Sequence, residues 1–217
     1  LLRQDVKHFV ASIETGHTDY MKRVLSCFHG KDINTGDPVD PDELARIHVK
    51  SAEYLERDTI EFSLYDNRVD VKQLMYDIDY MVDFKGVKIA FVDNLNFFLE
   101  PKRSSDQLIE MDRVTHELII FCKRTDVHLV MVMHPRKTDG GRIESEFDIK
   151  GSSTAVQEAQ NVFLFNRLTQ DMIDRDYGTP MDRELKIAKL RRRGAFVGHK
   201  ILLGFNGAGY SDKGYWR

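Results

Sequence analysis

Cysteine is scarce in this chain of 217 residues, which carries two. Cys27 and Cys122 lie in the apolar, helix-like stretches LSCFHG and IIFCKR, and their spacing fits no metal site. That excludes a disulfide-framed secreted domain, and both are expected to be reduced core residues of an intracellular protein. A surplus of either charge is also missing. Formal net charge is −3, so any nucleic-acid role must rest on local basic clusters rather than on the field of the whole chain. No apolar run approaches the roughly 20 residues of a membrane span, no signal peptide is visible, and no membrane partner is expected. Repeats and low-complexity segments are absent. So is an initiator methionine: LLRQDVKHFV reads as a helix end running into a strand, as in a fragment. What is present is 41% hydrophobic and 31% charged residues, the composition of a globular domain long enough for one sizeable core.

Strand-like and helix-like segments alternate along the chain. KHFVASIE reads as a strand, and HTDYMKRVLSCF follows at helical spacing with Tyr20, Val24 and Cys27 on one face. A second helix begins at Asp40-Pro41, a cap and first-turn pair. TIEFSLYD is a strand. DVKQLMYDIDYMVDF is a helix with Val71, Leu74, Met75, Ile78 and Met81 or Val82 inward. VKIAFVDNL is a strand, and SSDQLIEMDRVTHELIIFCKRT is a long helix opened by a serine cap at Ser104 or Ser105. VHLVMVMH is a strand, followed by a polar loop with paired glycines. STAVQEAQ is a short helix, NVFLFNR a strand, and the tail two or three antiparallel strands with glycine turns. This alternation predicts an α/β fold with a mostly parallel sheet. The continuous apolar runs IAFV, HLVMVM and NVFLF predict strands covered on both faces.

In such sheets ligands sit at the carboxyl ends of the strands. The residues just past the strands are Glu14, Asp93, His134 and the pair Asn166-Arg167. Two acids, a histidine and basic groups along one sheet edge make a metal–phosphate site the leading reading. Each residue has a plainer one. An aspartate after a strand often caps a helix or forms a turn, a lone histidine is usually a structural hydrogen-bonder, and Arg191 to Arg193 would keep an edge strand soluble.

IAFVDNLNFFL, HLVMVMHPRK, DIKGSSTAVQEAQNVFLFNR and KIAKLRRRGAFVG stand in the order and spacing of ring-shaped replicative DNA helicases. The chain resembles their RecA-like motor from about FVASIET to GHKILLGFN, closest to the Twinkle and phage primase-helicase branch and more distantly the DnaB type. The resemblance implies a RecA-like P-loop NTPase core, mostly parallel, with antiparallel strands at the C-terminal end, and one N-terminally incomplete motor domain over 1–217. It implies ATP and Mg²⁺ as cofactors, a hexameric ring, 5′-to-3′ unwinding, and a cytoplasmic (bacterial or phage-encoded) or mitochondrial-matrix setting. Asp93 would hold Mg²⁺, with Asn94 beside it at the nucleotide, and Glu14 would activate the attacking water. His134 would sense the phosphate, and Gln157 would link nucleotide state to the DNA-contacting loop. Lys189 and Arg191 would reach the γ-phosphate on a neighbouring subunit, with Arg192 and Arg193 leaving the register open. The loop 135–150, carrying Arg136, Lys137, Arg142 and Lys150, would line the channel and grip single-stranded DNA. Lys and Arg on a glycine-containing loop suit backbone contacts that read no bases. The plainer reading is a solvated loop, since Asp139, Glu144, Glu146 and Asp148 share it.

One family feature is missing. No stretch matches G-x-x-x-x-G-K-[ST], whose backbone N–H groups and lysine cradle phosphates; FHGKDI has Gly30 and Lys31 but neither the first glycine nor the hydroxyl residue. The chain alone is therefore expected not to hydrolyse ATP. Two other functions stay open: a RecA- or KaiC-like ATPase without a helicase role, and an inactive DNA-binding or subunit-interaction module.

Overall fold

Helix signals in the sequence become helices. In a computed structural model, describing residues 5–12, 14–33, 40–63, 65, 69–98, 104–134, 142–143, 145, 148, 153–192 and 194–216, helix α3 spans Val71–Lys85. Asp70 caps it by accepting from the Gln73 amide, and Gly86 closes it in the left-handed region at φ 70°. Val71, Leu74 and Ile78 recur along its buried face. Helix α1 is His17–His29, α2 is Pro41–Leu55 with proline in the first turn, and α4 is Ser104–Thr125. The serine pair expected to cap α4 falls within its first turn.

The chain divides into two compact units, Leu1–Leu25 with Asn34–His134 and Ser26–Ile33 with Pro135–Arg217. The first holds strands β1 (His8–Ser12), β2 (Ile60–Phe62), β3 (Ile89–Asp93) and β4 (His128–Met131). They form a parallel sheet in the order β2-β1-β3-β4. Phe9, Ala11, Ala90 and Val92 pack with Leu74 and Ile78 of α3, Phe121 of α4, Val87, Phe98 and Val127. Val71, Leu95, Met111, Val114 and Leu118 form a second cluster. Tyr20 of α1 meets the Phe62 ring edge-on at 5.5 Å, so α1 lies against edge strand β2. Central strand β1 is buried throughout. Coverage on both faces does not extend to β3, which alternates buried and half-buried residues, or to β4, whose described residues are half-buried or exposed.

The second unit is an antiparallel sheet in sequence order: β5 (Asn161–Arg167), β6 (Arg183–Leu190), β7 (Lys200–Phe205) and β8 (Tyr210–Trp216). Short helices α5 (Ser153–Glu158) and α6 (Gln170–Asp174) precede and follow β5. NVFLF is thus not a strand of the parallel sheet. Its buried residues alternate with exposed ones, and Phe163 and Phe165 are about half exposed. A four-residue apolar run cannot by itself separate a doubly covered strand from a one-sided strand with aromatics on its open face. The three-stranded tail is as expected. Its β7–β8 turn is held by Asn206, whose side-chain oxygen accepts from the amides of Ala208 and Gly209. Asp182, fully buried, accepts from the amides of Thr179 (2.8 Å) and Phe205 (2.9 Å) and from Lys213 Nζ (3.2 Å).

The cysteines differ from each other. Both are free. Cys122 is half-buried against the first core, and burial pushes its thiol pKa up, as for an inert structural thiol. Cys27 is exposed rather than in a core. The face of α1 that meets the protein at this turn is presented by Ser26, one residue earlier.

Candidate functional site

Strand register decides which side chains meet. Ser12 at the end of β1 lies opposite Asp93 at the end of β3, so the residues after both emerge at the same edge. The Ser12 hydroxyl accepts from the Thr15 amide at 3.2 Å and turns the chain there, which sets Glu14 past the strand end. The end of β3 is joined to β4 in the same way: the Val132 amide donates to Val92 O at 2.9 Å. His134 follows on that side.

Asn94 ties the three strand ends together. It is 2% exposed, and its Nδ2 donates to Glu14 Oε2 at 2.7 Å and to His134 Nε2 at 2.9 Å. The same Glu14 oxygen lies 3.5 Å from His134 Nε2. The peptide bond between Asp93 and Asn94 is cis. Glu14 and His134 are about half exposed, so a buried amide holds two groups that face solvent.

Asp93 completes the edge. Its pKa is raised, first by burial and then by the Glu14 carboxylate, against the opposing charges of His134 and Arg23. A carboxylate whose ionisation burial and a neighbouring carboxylate disfavour marks a place where a bound cation would be welcome. Among the described residues no group of three or more His, Cys, Asp or Glu side chains could hold a metal by itself. Mg²⁺ suits a pair of carboxylates of this kind because it takes most of its ligands from phosphate oxygens and water.

Three further candidates meet in the second unit. Lys189 Nζ donates to the carbonyls of Val156 (2.8 Å) and Gln157 (2.6 Å), and the Arg191 guanidinium donates to Gln157 O at 3.3 Å. These carbonyls end α5, where intrahelical partners run out and cations are favoured. Gln157 is exposed, as is Arg191, which stands on the turn after β6. Asn166, expected at the parallel edge, is instead buried in the antiparallel sheet and bonded to the backbone of Ile143. Arg142 pairs with Glu184. Arg136, Lys137 and Lys150 lie outside the described residues, as does Arg193. Sequence reasoning missed the electrostatic part of Arg23, for which α1 gives no signal. It also missed the buried acid Glu184, whose signal was a carboxylate inside the strand pattern RELKIAKL.

No protein-family profile matches the chain. A curated relative, the "DNA helicase/primase" of Enterobacteria phage T3, is 25% identical over 117 residues, 50% of this chain and 21% of that protein. Among solved structures, one described as an ATPase domain superposes with a TM-score of 0.77 at 15% identity, over 98% of this chain and 76% of that one. The structure described as a DnaB-like replicative helicase and its interactions with primase superposes at 0.73 with 16% identity, over 94% of this chain and 49% of that one. The chain has the fold of a DnaB-like helicase ATPase domain. In this fold, Glu14, Asp93, Asn94 and His134 occupy the carboxyl edge of the parallel sheet, where α/β sheets bind ligands. The chain spans about a fifth of the length of the phage relative.

Proposed function

We propose that this chain is the motor part of an NTP-dependent replicative DNA helicase of the DnaB-like kind, acting on ATP with Mg²⁺. The observation that carries it is the bridge from Asn94 to both Glu14 and His134, beside an Asp93 whose pKa is raised. Asp93 would hold the ion through water, and Asn94 is assigned to keep Glu14 and His134 in register. Glu14 orients the attacking water and draws on its proton. His134 meets the oxygens of the leaving phosphoryl group. Bound Mg²⁺ would supply neutralisation of the phosphate charge during transfer. Lys189 and Arg191, near the end of β6, are assigned to the nucleotide of a neighbouring copy in a hexameric ring, with Gln157 reporting nucleotide state. The loop 135–150 is assigned to single-stranded DNA, with 5′-to-3′ movement; likeness in sequence to a phage DNA helicase/primase supports the DNA role. Residues 1–217 act as one motor domain.

The 217-residue chain itself is assigned no turnover. It carries no phosphate-binding loop, and the carboxylates at its sheet edge repel a polyphosphate in the absence of that loop. Titration of Mg-ATP into the chain should show weak or no binding; micromolar binding with turnover would overturn this. In protein that also carries such a loop, hydrolysis should be stimulated by single-stranded DNA. Glu14→Gln should reduce it at least about 100-fold with nucleotide binding kept. Hydrolysis indifferent to DNA, with no strand displacement, would favour a RecA- or KaiC-like ATPase.

A further inference from the structure

Arg142 would be a phosphate contact by its place in the loop 135–150, but its surroundings describe something else. Asn166 and Glu184 are direct partners across β5 and β6, and both are buried, at 3% and 0% exposure. Together they take hold of two consecutive residues. Asn166 Oδ1 accepts from the Ile143 amide at 2.9 Å, and Asn166 Nδ2 donates to Ile143 O at 2.8 Å, so one side chain satisfies both main-chain groups of that residue. Glu184 Oε1 accepts from the Arg142 guanidinium, which also donates to Arg167 O at 3.2 Å. The other Glu184 oxygen has Lys200 Nζ at 3.4 Å, an ion pair outside hydrogen-bond geometry. Ile143 packs against Val156, Val162 and Leu164. Just beyond, Asp148 accepts from the amide and hydroxyl of Ser145.

We infer that Arg142 is a positioning residue: together with Asn166 and the buried Glu184 it pins residues 142–143 to the antiparallel sheet, and it does not contact DNA. The inference deepens the assignment of the loop 135–150 to single-stranded DNA and rests on it for its functional consequence. The physical reasons are burial and competition. The Arg142 side chain is 18% exposed, and turning it toward a phosphate would take from the fully buried Glu184 carboxylate its hydrogen-bonded cation and leave it to the Lys200 ammonium at 3.4 Å, outside hydrogen-bond geometry. A planar fork held by a carboxylate and a carbonyl fixes direction as well as distance, which a lysine would not. The pin would therefore set where the rest of the loop starts and leave the phosphate contacts to other basic residues of the segment.

Two measurements on the same proteins separate this from a DNA contact. One is hydrogen exchange of the 142–148 region. The other is the salt dependence of binding to a labelled oligo-dT strand. Arg142→Gln and Glu184→Gln should each raise exchange at Ile143 by about tenfold, while exchange in β7 and β8 stays unchanged. Both should weaken oligo-dT binding without changing the salt slope. The double variant, an amide facing an amide, should recover part of the protection. Arg136→Ala with Lys137→Ala should flatten the slope instead. A slope reduced by about 0.7 in Arg142→Gln, with Glu184→Gln binding as well as or better than wild type, would overturn the inference. So would unchanged Ile143 exchange in both variants. If the wild-type protein binds no oligo-dT, the DNA assignment of the loop fails, and the exchange arm still decides the pin. Should Arg142→Gln not fold, Glu184→Gln, nearly isosteric and with one buried charge fewer, decides it alone.

Discussion

At the scale of the residue, two buried polar side chains carry opposite kinds of consequence. Burial alone would raise the pKa of Asp182, but the amides of Thr179 and Phe205 and the ammonium of Lys213 overcome it and hold the group at about 2. A carboxylate whose folded pKa lies below its unfolded value stabilises the fold fully above the unfolded pKa, near 3.8, and loses that contribution as pH falls through the folded value. Stability should therefore drop between about pH 4 and pH 2 by on the order of 2 kcal/mol from this residue. Asp182→Asn should remove that part of the acid dependence, as read by denaturant titration across the window. Asn94 bears on chemistry instead. In protein that also carries a phosphate-binding loop, Asn94→Ala should leave nucleotide binding in place and reduce DNA-stimulated ATP hydrolysis by about 100-fold, since Glu14 and His134 lose their common donor and a small displacement of positioned groups costs that much. Equal rates for the variant and the wild type would show that the bridge has no part in turnover. Asp93, Asn94, Glu14 and His134 were legible in the sequence because each sits one or two positions past an apolar run. Their junction through one amide was not, since it depends on strand order and register, which no local pattern carries.

At the scale of the element, helix α3 shows how far local signals reach. Its apolar spacing is readable and holds, and the structure adds an aspartate cap at Asp70 and a closing glycine at Gly86. Gly86 adopts φ 70°, and a Cβ added there would meet nothing within 4 Å, so Gly86→Ala should cost about 1 kcal/mol through backbone strain alone. Leu74, with no exposed surface, should cost about 2–5 kcal/mol as Leu74→Ala. Urea midpoints at constant slope would compare the two, and a larger loss at Gly86 would contradict the burial assigned to Leu74. Strand β5 marks the opposite limit. Phe163 and Phe165 give NVFLF the apolar continuity of a doubly covered strand, yet they stand half exposed, where Phe165 meets the Tyr210 ring edge-on at 5.5 Å. Hydrophobic residues on a surface obey no rule that a sequence can announce. Cys27 was misplaced for a related reason, because a helical face one residue wide of the true one changes which side chain is buried.

At the scale of the whole molecule, the proposed ring makes a statement about which copy each residue serves. Asp93 and Glu14 are assigned to nucleotide on their own chain, and Arg191 to nucleotide on a neighbour. Mixing an Asp93→Ala protein with an Arg191→Ala protein, each carrying a phosphate-binding loop, should restore part of the ATP hydrolysis that both lack alone. Mixed rings contain sites that pair an intact edge with an intact arginine. No recovery where mixed assembly is demonstrated would place Arg191 in the structural role its bond to Gln157 O already provides. Among the described residues no helix is long and apolar enough to cross a membrane.

The two sheets also differ in how far along the chain their partners lie. Every pairing in the antiparallel sheet joins strands that are neighbours in sequence, whereas His8 must find Ile89 before β1 has its place beside β3. Closing a long loop costs entropy before any contact rewards it, and non-local pairing slows folding. The later-synthesised part should thus gain its structure first: pulsed hydrogen-exchange labelling during refolding should find β6 and β7 protected while β1 still exchanges freely. The strand that leads to the proposed catalytic glutamate would then be a late arrival, exposed with its apolar residues for longer than any other part of the parallel sheet, and the place where a holding chaperone or a change of temperature would act on the yield of functional protein.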